Sequence, residues 1–350
     1  MNRIAYLDGL KGFAALCVLI HHFYMVFYGV VPDDVKVIEH IPFINMLVNG
    51  QFAVCIFIII SNYIFAKTIN AHLDIISIQR RITKRYFRLV IPIVFIVAIV
   101  AIMYYAGMFH LTELNDSKLD KFWKGLTATD FIKQVFLSPF GYSKVIGPFW
   151  MLKYIFLGNL FVALITIMVN GRSLSSKVII YLLAALLSIN FSKYWVCAFV
   201  GGLIHEIRTN RKKQLGGALC VGIGIGALII SQTTTAMQPS VFSENKWVCI
   251  ISATLFFYGI LCLERIQSLL SKRAFGFLGE NSLSIYLVHW PVVCSLSCLL
   301  FLQVLGDNWM YLTANLLITI TVVLLLSYLY TKYVNKYSEV IVEKIMNRLK

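Results

Sequence analysis

Charged residues are scarce in this sequence. They make up 13% of its 350 residues, whereas soluble proteins usually contain about 25%. Apolar residues make up 59%, and they form successive runs of about 20 residues, the length needed to cross a bilayer. The shortage of charge therefore excludes a soluble globular domain and predicts an all-α, polytopic membrane protein.

The sequence motifs of several soluble enzyme classes are also missing. The chain contains no GxSxG, no P-loop, no HExxH and no CxxC pair, and we detect no internal repeat. Its eight cysteines all fall within or beside apolar segments, where we expect them to act as apolar fillers. The sequence therefore predicts neither a metal site nor a disulfide framework.

Acidic residues are also few, and the net charge is +15. We predict about ten transmembrane helices with both termini in the cytosol, because all eleven arginines and eleven of the twenty lysines then lie on the cytosolic side. The positive charge thus reflects membrane topology and not nucleic-acid binding. The predicted spans are 9–29, 44–66, 86–108, 148–169, 176–191, 194–208, 215–234, 247–264, 281–304 and 310–331.

The chain divides into two predicted parts. Residues 1–331 form a transmembrane domain, and residues 332–350 form a cytosolic amphipathic tail on the inner leaflet. The first span contains ionisable groups and no convincing cleavage site, so we expect no cleaved signal peptide. The apolar face of the tail is predicted from Val334, Tyr337, Ile341, Ile345 and Leu349.

The first span carries four ionisable residues, which are costly in hydrocarbon and indicate a function. They are Asp8, Lys11, His21 and His22 in DGLKGFAALCVLIHH. The eleven steps from Lys11 to His22 correspond to three helical turns plus about 20°, so the two side chains share a face about 16 Å apart. His21 lies about 100° from that face, and we expect it to have a packing or supporting role.

Three arginines precede the apolar part of the third span. Arg81, Arg85 and Arg88 follow i, i+4, i+7 spacing in IQRRITKRYFRLVIP and share one helix face. Guanidinium groups match the geometry of phosphate oxygens. Two interpretations stay open: the arginines anchor the helix at lipid headgroups, or they hold an anionic ligand.

The ninth span contains a second histidine within an apolar run. Tyr286 and His289 are three residues apart in SLSIYLVHWPV and share a face, and Pro291 is expected to kink the helix just beyond them. Histidine acts as a base, an acid or a nucleophile near neutral pH. A histidine that only packs inside the bundle remains the alternative.

Weaker signals lie elsewhere. Ser61 and Asn62 in the second span can hydrogen-bond to another helix, with helix packing as the simple interpretation. Trp150 is typical of a membrane interface. Residues 110–147 form the only long predicted connection, an outward-facing candidate lid with a short helix capped at Thr129.

Residue chemistry alone leaves two functions open. An anionic cofactor on the arginine face and a second substrate at the outer loops suit group transfer across a membrane. The two intramembrane histidines equally suit a proton-coupled transporter or a lipid-linked sugar flippase.

Four motifs resemble those of the integral-membrane acyltransferases of type 3. YLDGLKGFAALCVLIHH is similar to the family's DGLRG opening, in which a histidine follows eleven residues after the basic residue. FAVCIFIIISNYIFA resembles its second-span pattern ending in SGF, and KRYFRLVIP resembles its RxxR element. LGENSLSIYLVHWP is similar to its late SYxxYLxHxP element, so the resemblance extends over the whole chain.

The resemblance implies a multi-pass O-acyltransferase of the bacterial inner membrane. The donor would be cytosolic acyl-CoA, most commonly acetyl-CoA. The acceptor would be a hydroxyl of a carbohydrate such as O-antigen, exopolysaccharide or a lipid-linked sugar. The family's essential histidine corresponds to His22, and its RxxR arginines correspond to Arg85 and Arg88.

We therefore expect His22 to be the base or the acyl carrier, with Tyr286 and His289 lining the same pocket. No metal and no nucleic-acid partner is expected. The expected coenzyme A ligands are Lys11, Arg81, Arg85 and Arg88, and the expected substrate-binding residues are Asp8, Ser61, Asn62 and Trp150.

Overall fold

The structure is a computed structural model that describes residues 4–30, 48–71, 73–114, 123–210, 216–235, 245–305 and 308–348. These residues form helices joined by short connections, and no strand occurs among them. The predicted all-α fold is confirmed. The topology predicts an outward loop between the first two spans, from about Val30 to Pro42, and all of it beyond Val30 lies outside the described residues.

The helices are numbered in chain order. They are α1 (Ala5–Phe27), α2 (Gly50–Asn70), α3 (Ile75–Tyr105), α4 (Ala128–Leu137), α5 (Leu152–Met168), α6 (Leu174–Ser188), α7 (Tyr194–Asn210), α8 (Gly217–Thr235), α9 (Lys246–Cys262), α10 (Glu264–Leu270), α11 (Arg273–Glu280), α12 (Ser282–Val292), α13 (Cys298–Leu300), α14 (Trp309–Tyr330) and α15 (Lys336–Arg348). Turns of π-helix follow α12, α13 and α14 without breaking the chain's helical course.

Six of the described helical segments are long and apolar enough to cross a membrane. They are Ala5–Phe27, Gly50–Asn70, Ile75–Tyr105, Gly147–Met168, Ser282–Val304 and Met310–Arg348. The pair α9 and α10, bent by 97°, would count as a seventh span. Each of the ten predicted spans overlaps a helix, but the count of ten and the cytosolic termini remain predictions.

The chain folds as two compact units. Unit 1 comprises Met1–Ala14, Gln51–Tyr86 and Met151–Gly279, and unit 2 comprises Ala15–Gly50, Phe87–Trp150 and Glu280–Lys350. In unit 1, α8 packs along α9, and α7 packs on both α5 and α6. In unit 2, α12 packs against α14.

Two glycines let the start of α1 approach α10 and α11 closely within unit 1. A Cβ atom at Gly9 would lie 2.0 Å from the carbonyl oxygen of Leu270, and one at Gly12 would lie 2.3 Å from the carbonyl carbon of Leu278. No side chain fits at such distances from backbone atoms. The glycines of the DGLKG segment therefore have a packing requirement, apart from any role of its charged residues.

A buried ion pair joins three helices of unit 1. Glu206 on α7 is fully buried, and its carboxylate accepts hydrogen bonds from Lys177 on α6 at 2.6 Å and from Asn70 on α2 at 2.8 Å. A buried carboxylate is costly unless it is paired and hydrogen-bonded. Removal of either Glu206 or Lys177 would leave the charge of the other residue buried and unpaired.

The C-terminal helix continues directly from α14. A π-helical turn, Thr331–Asn335, links α14 to α15, and Ser338, Val342 and Met346 are buried on α15. Tyr337, expected on the apolar face, is 59% exposed. The division of the chain at residue 331 stays a prediction, and Leu349 lies outside the described residues.

The long connection contains an ordered helix, but its predicted cap is wrong. Helix α4 begins at Ala128 with Thr127 as its N-cap, so Thr129 lies inside the first turn. Asp130 accepts hydrogen bonds from both the backbone N–H and the hydroxyl of Thr127, each at 2.9 Å. The signal that identifies Thr127 is the carboxylate three residues later, the spacing of a capping box.

The same carboxylate organises the rest of this connection. Asp130 also accepts hydrogen bonds from the Tyr142 hydroxyl at 2.7 Å and from Lys144 at 2.9 Å. The backbone N–H of Thr127, the Tyr142 hydroxyl and Lys144 together hold the pKa of Asp130 well below its ordinary value. Burial and the bond to Asp130 raise the pKa of Tyr142 to about 12.

Candidate active site

Two histidines from distant parts of the chain meet in unit 2. His22 on α1 and His289 on α12 approach with Nδ1 of His22 3.1 Å from Nε2 of His289. Their ring centroids are 5.0 Å apart. His289 is fully buried, whereas His22 retains partial exposure.

Backbone carbonyls fix which nitrogen of each ring carries the proton. Nδ1 of His289 lies 3.1 Å from the Ile285 carbonyl oxygen, and Nδ1 of His22 lies 3.0 Å from the Val18 carbonyl oxygen. A carbonyl oxygen only accepts hydrogen bonds, so each Nδ1 is the donor in the neutral rings. The single Nδ1–H of His22 is then shared between the Val18 carbonyl oxygen and Nε2 of His289, and Nε2 of His22 carries the remaining lone pair.

An indole closes one side of the imidazole pair. Trp290, which is 1% exposed, meets the His22 ring edge-on with centroids 5.4 Å apart and planes at 74°. The sequence-based expectation did not include Trp290. Its position directly after His289 in the VHWP segment was the available signal.

The Tyr286 side chain holds the turn that precedes α5. Its hydroxyl donates to the Pro148 carbonyl oxygen at 2.5 Å, and its ring stacks with Phe149 at a centroid distance of 5.8 Å. Its ring also lies 5.9 Å from that of His289. Tyr286 thus joins α12 to the turn Gly147–Met151, which contains the partly buried Trp150.

His21 hydrogen-bonds to a different backbone segment from His22, although the two rings also meet edge-on with centroids 5.4 Å apart. Its Nδ1 lies 2.8 Å from the Val48 carbonyl oxygen, and a Cβ atom at Gly50 would lie 2.4 Å from its ring. These contacts are packing and anchoring contacts of the kind expected for His21.

The basic residues expected to bind coenzyme A occupy different environments. In unit 1, Lys11 forms a 2.6 Å ion pair with Asp8. Arg85 donates to the Ser61 hydroxyl at 2.5 Å, and its guanidinium lies over the Phe65 ring. Ser61 thus contacts Arg85, one of the residues predicted to bind the phosphates of coenzyme A.

Arg88 has a carboxylate partner in unit 2. It forms a 3.1 Å ion pair with Glu339 of α15, and both side chains are more than half exposed. Arg81, one turn before Arg85, is partly buried. Arg88 thus contacts Glu339 whereas Arg85 contacts Ser61, although their spacing places the two arginines on one face of α3.

Asn62 is fully buried within unit 1. Its amide nitrogen donates to the Ile58 carbonyl oxygen at 2.9 Å and to the Tyr154 carbonyl oxygen at 3.3 Å. These bonds join α2 to α5.

In the part of the chain that the structure describes, no cluster of three or more histidine, cysteine or acidic side chains is arranged to hold a metal ion.

Comparison with known proteins identifies the family. The family model described as an acyltransferase domain matches residues 4–330. The chain belongs to the integral-membrane acyltransferases of type 3. A relative, the O-acetyltransferase PaAT-1 of Phomopsis amygdali, is 23% identical over 388 aligned positions, which cover 88% of this chain and 76% of the relative. No solved structure gives a significant match.

This acyltransferase is a multi-pass membrane protein, and its family and relative support O-acyl transfer. The family favours an enzyme over the transporter or flippase that residue chemistry left open. The roles of individual residues, the acyl donor and the acceptor stay predictions.

Proposed function

We propose that this enzyme transfers an acetyl or other short acyl group from acyl-CoA to a hydroxyl of a carbohydrate, with His22 as the general base. The observation that carries the proposal is the hydrogen-bonded pair of imidazoles formed by His22 and His289. A base whose N–H is held by a second, buried side chain is the arrangement that nucleophile activation needs.

The proposed reaction has a balanced proton path. Nε2 of His22 removes the proton of the acceptor hydroxyl as its oxygen attacks the thioester carbonyl. The new ester C–O bond forms, the C–S bond breaks, and the imidazolium returns the proton to the departing thiolate of coenzyme A. During this step Nδ1–H of His22 donates to His289, which stabilises the imidazolium.

Donor binding is proposed for the basic residues of α1 and α3. Arg85 would hold phosphate oxygens of coenzyme A with its forked donors, and Lys11 and Arg81 would add positive charge. Asp8, Ser61, Asn62 and Trp150 remain proposed contributors to substrate binding. Arg88 is the weakest member of the set, because its ion pair with Glu339 would compete with a phosphate.

The acceptor and the cellular location rest on the family resemblance. We propose a surface carbohydrate, such as O-antigen, exopolysaccharide or a lipid-linked sugar, and a bacterial inner membrane. The fungal relative shows that sequences similar to this one also occur in eukaryotes. Mass spectrometry of the cell's glycans would identify the acceptor.

The deciding experiment incubates purified protein with radiolabelled acetyl-CoA and glycan fractions. Wild-type protein should transfer label to an alkali-labile ester, and His22→Ala should lose at least about 100-fold in rate, the scale of general-base catalysis. His21→Ala is the matched control, since its ring is directed at the Val48 carbonyl.

Full transfer by a normally folded His22→Ala protein would overturn the assignment of the base. Glycan flux into vesicles without label transfer would favour the transporter. Label retained on wild-type protein in the absence of acceptor, and lost in His22→Ala, would replace the general-base step with an acyl-histidine intermediate.

A further inference from the structure

Asn159 on α5 is buried in unit 1 with an unused hydrogen-bonding side chain. It is 1% exposed, and among the described residues neither its amide nitrogen nor its amide oxygen has a hydrogen-bond partner. Buried polar groups in folded proteins are nearly always hydrogen-bonded, so such a residue calls for an explanation. No sequence motif singled it out.

Contacts along α5 define the direction in which Asn159 faces. Phe156, three residues earlier, packs against Tyr86 of α3 with ring centroids 5.8 Å apart. Ala163, four residues later, packs in one cluster with Phe65 of α2 and Ile78 of α3. Residues at these spacings share a helix face, so Asn159 faces α2 and α3.

The guanidinium of Arg85 contacts a member of the same cluster, Phe65. Arg85 lies 5.4 Å above the Phe65 ring and donates to the Ser61 hydroxyl. It directly precedes Tyr86, which contacts the face of α5 that carries Asn159. The unpartnered amide on α5 therefore faces the two helices, α2 and α3, that carry the Ser61 hydroxyl and the Arg85 cation.

These groups define the chemistry of a ligand. An asparagine amide offers two N–H donors and one carbonyl acceptor, and a secondary amide presents one acceptor and one donor in return. The phosphates that suit Arg85 and an arm carrying secondary amides occur together in coenzyme A, whose pantetheine arm contains two such amides.

We propose that Asn159 binds a secondary amide of the pantetheine arm of the acyl donor, next to Arg85. The proposal rests on acyl-CoA as the donor under the proposed function, and it adds a residue that no motif assigned. A purely structural asparagine would be partnered, as Asn315 is in unit 2. Asn315 is equally buried, donates to the Ser297 carbonyl and accepts from the Thr319 hydroxyl.

The binding test uses the full-length protein in detergent and two ligands. Calorimetry would measure the affinity for coenzyme A and for adenosine 3′,5′-bisphosphate, which lacks the pantetheine arm. Asn159→Leu should weaken coenzyme A about tenfold, the loss expected for one or two hydrogen bonds, and leave the bisphosphate unchanged. Arg85→Ala should weaken both ligands.

A stability measurement separates binding from folding. Because the amide makes no hydrogen bonds in the described structure, Asn159→Leu should melt at a temperature no lower than wild type. Asn315→Leu, the matched control, should melt lower because it removes the hydrogen bonds that Asn315 forms with the Ser297 carbonyl and the Thr319 hydroxyl. Asn159→Ala serves as a second variant that adds no volume.

Three outcomes would overturn the inference. Wild-type protein that binds coenzyme A while both Asn159 variants bind it equally well removes the role of Asn159 and leaves the proposed function standing. Equal losses for both ligands, or lower melting temperatures in both variants, indicate a structural role. Wild-type protein that binds no coenzyme A rejects the acyl-CoA donor and this inference together.

Discussion

His289 is a positioning residue at the scale of single side chains, because it acts on the substrate only through His22. We predict that His289→Phe lowers kcat about 100-fold, since it removes one of the two acceptors for His22 Nδ1–H and the group that stabilises the His22 imidazolium. His289→Gln should retain part of the activity, because its amide oxygen can still accept that proton. The KM values should change little in both variants.

Steady-state kinetics on the purified variants would check this prediction. A packing role would make glutamine the more damaging replacement, because phenylalanine suits an apolar environment better. Activity that falls equally in both variants, or a change confined to KM, would contradict the proposed hydrogen bond.

The sequence identifies both members of the imidazole pair but not their contact. His22 and His289 stand out because ionisable groups are rare in apolar runs. Their hydrogen bond joins residues 267 positions apart, and helical periodicity carries no information about such a distance. Asn159 gave no signal, because an uncharged amide in an apolar span is typical of ordinary helix packing.

At the scale of elements, the connection around α4 is organised by one ionised carboxylate. The depressed pKa of Asp130 means that its stabilising effect is complete above the ordinary aspartate pKa of about 3.9. The effect is lost as the pH falls from there toward the lower pKa of the folded state. We predict that amide exchange in residues 123–146 accelerates below about pH 4, relative to intrinsic exchange rates.

Hydrogen exchange with mass spectrometry can test this at pH 6 and pH 3. Asp130→Asn should show faster exchange at pH 6 already and a smaller acid response than wild type. Lys133→Ala, which alters an exposed residue of the same helix, should behave like wild type. An unchanged acid response in Asp130→Asn would assign the effect to another group.

The helices of this chain were predictable because the apolar runs are long and charged residues separate one run from the next. Local chemistry was harder to predict. The threonine chosen as the cap of α4 was wrong by two residues, although the capping-box spacing from Thr127 to Asp130 was present in the sequence. The bonds of Asp130 to Tyr142 and Lys144, further along the chain, gave no such signal. The arginine pattern on α3 likewise gave no sign that Arg88 pairs with Glu339.

At the scale of the whole molecule, the number of membrane crossings depends on the middle of the chain. Helix α6 has 15 residues, a rise of about 22 Å, whereas the hydrocarbon core is about 30 Å thick. Charge distribution does not decide between the two counts, because Arg172 and the basic loop after Arg208 lie on the same side whether α6 and α7 both cross or neither does.

Single cysteines at exposed positions can decide between these topologies. We predict that Asn190→Cys, between α6 and α7, reacts with a membrane-impermeant maleimide in intact cells. Arg172→Cys should react only after permeabilisation, and Lys133→Cys should react from outside. The native cysteines are buried or half-buried, so wild-type protein supplies the background. If Asn190→Cys reacts only after permeabilisation, as Arg172→Cys should, then neither α6 nor α7 crosses the membrane. The predicted count then falls from ten to eight, closer to the six crossings that helix length supports among the described residues.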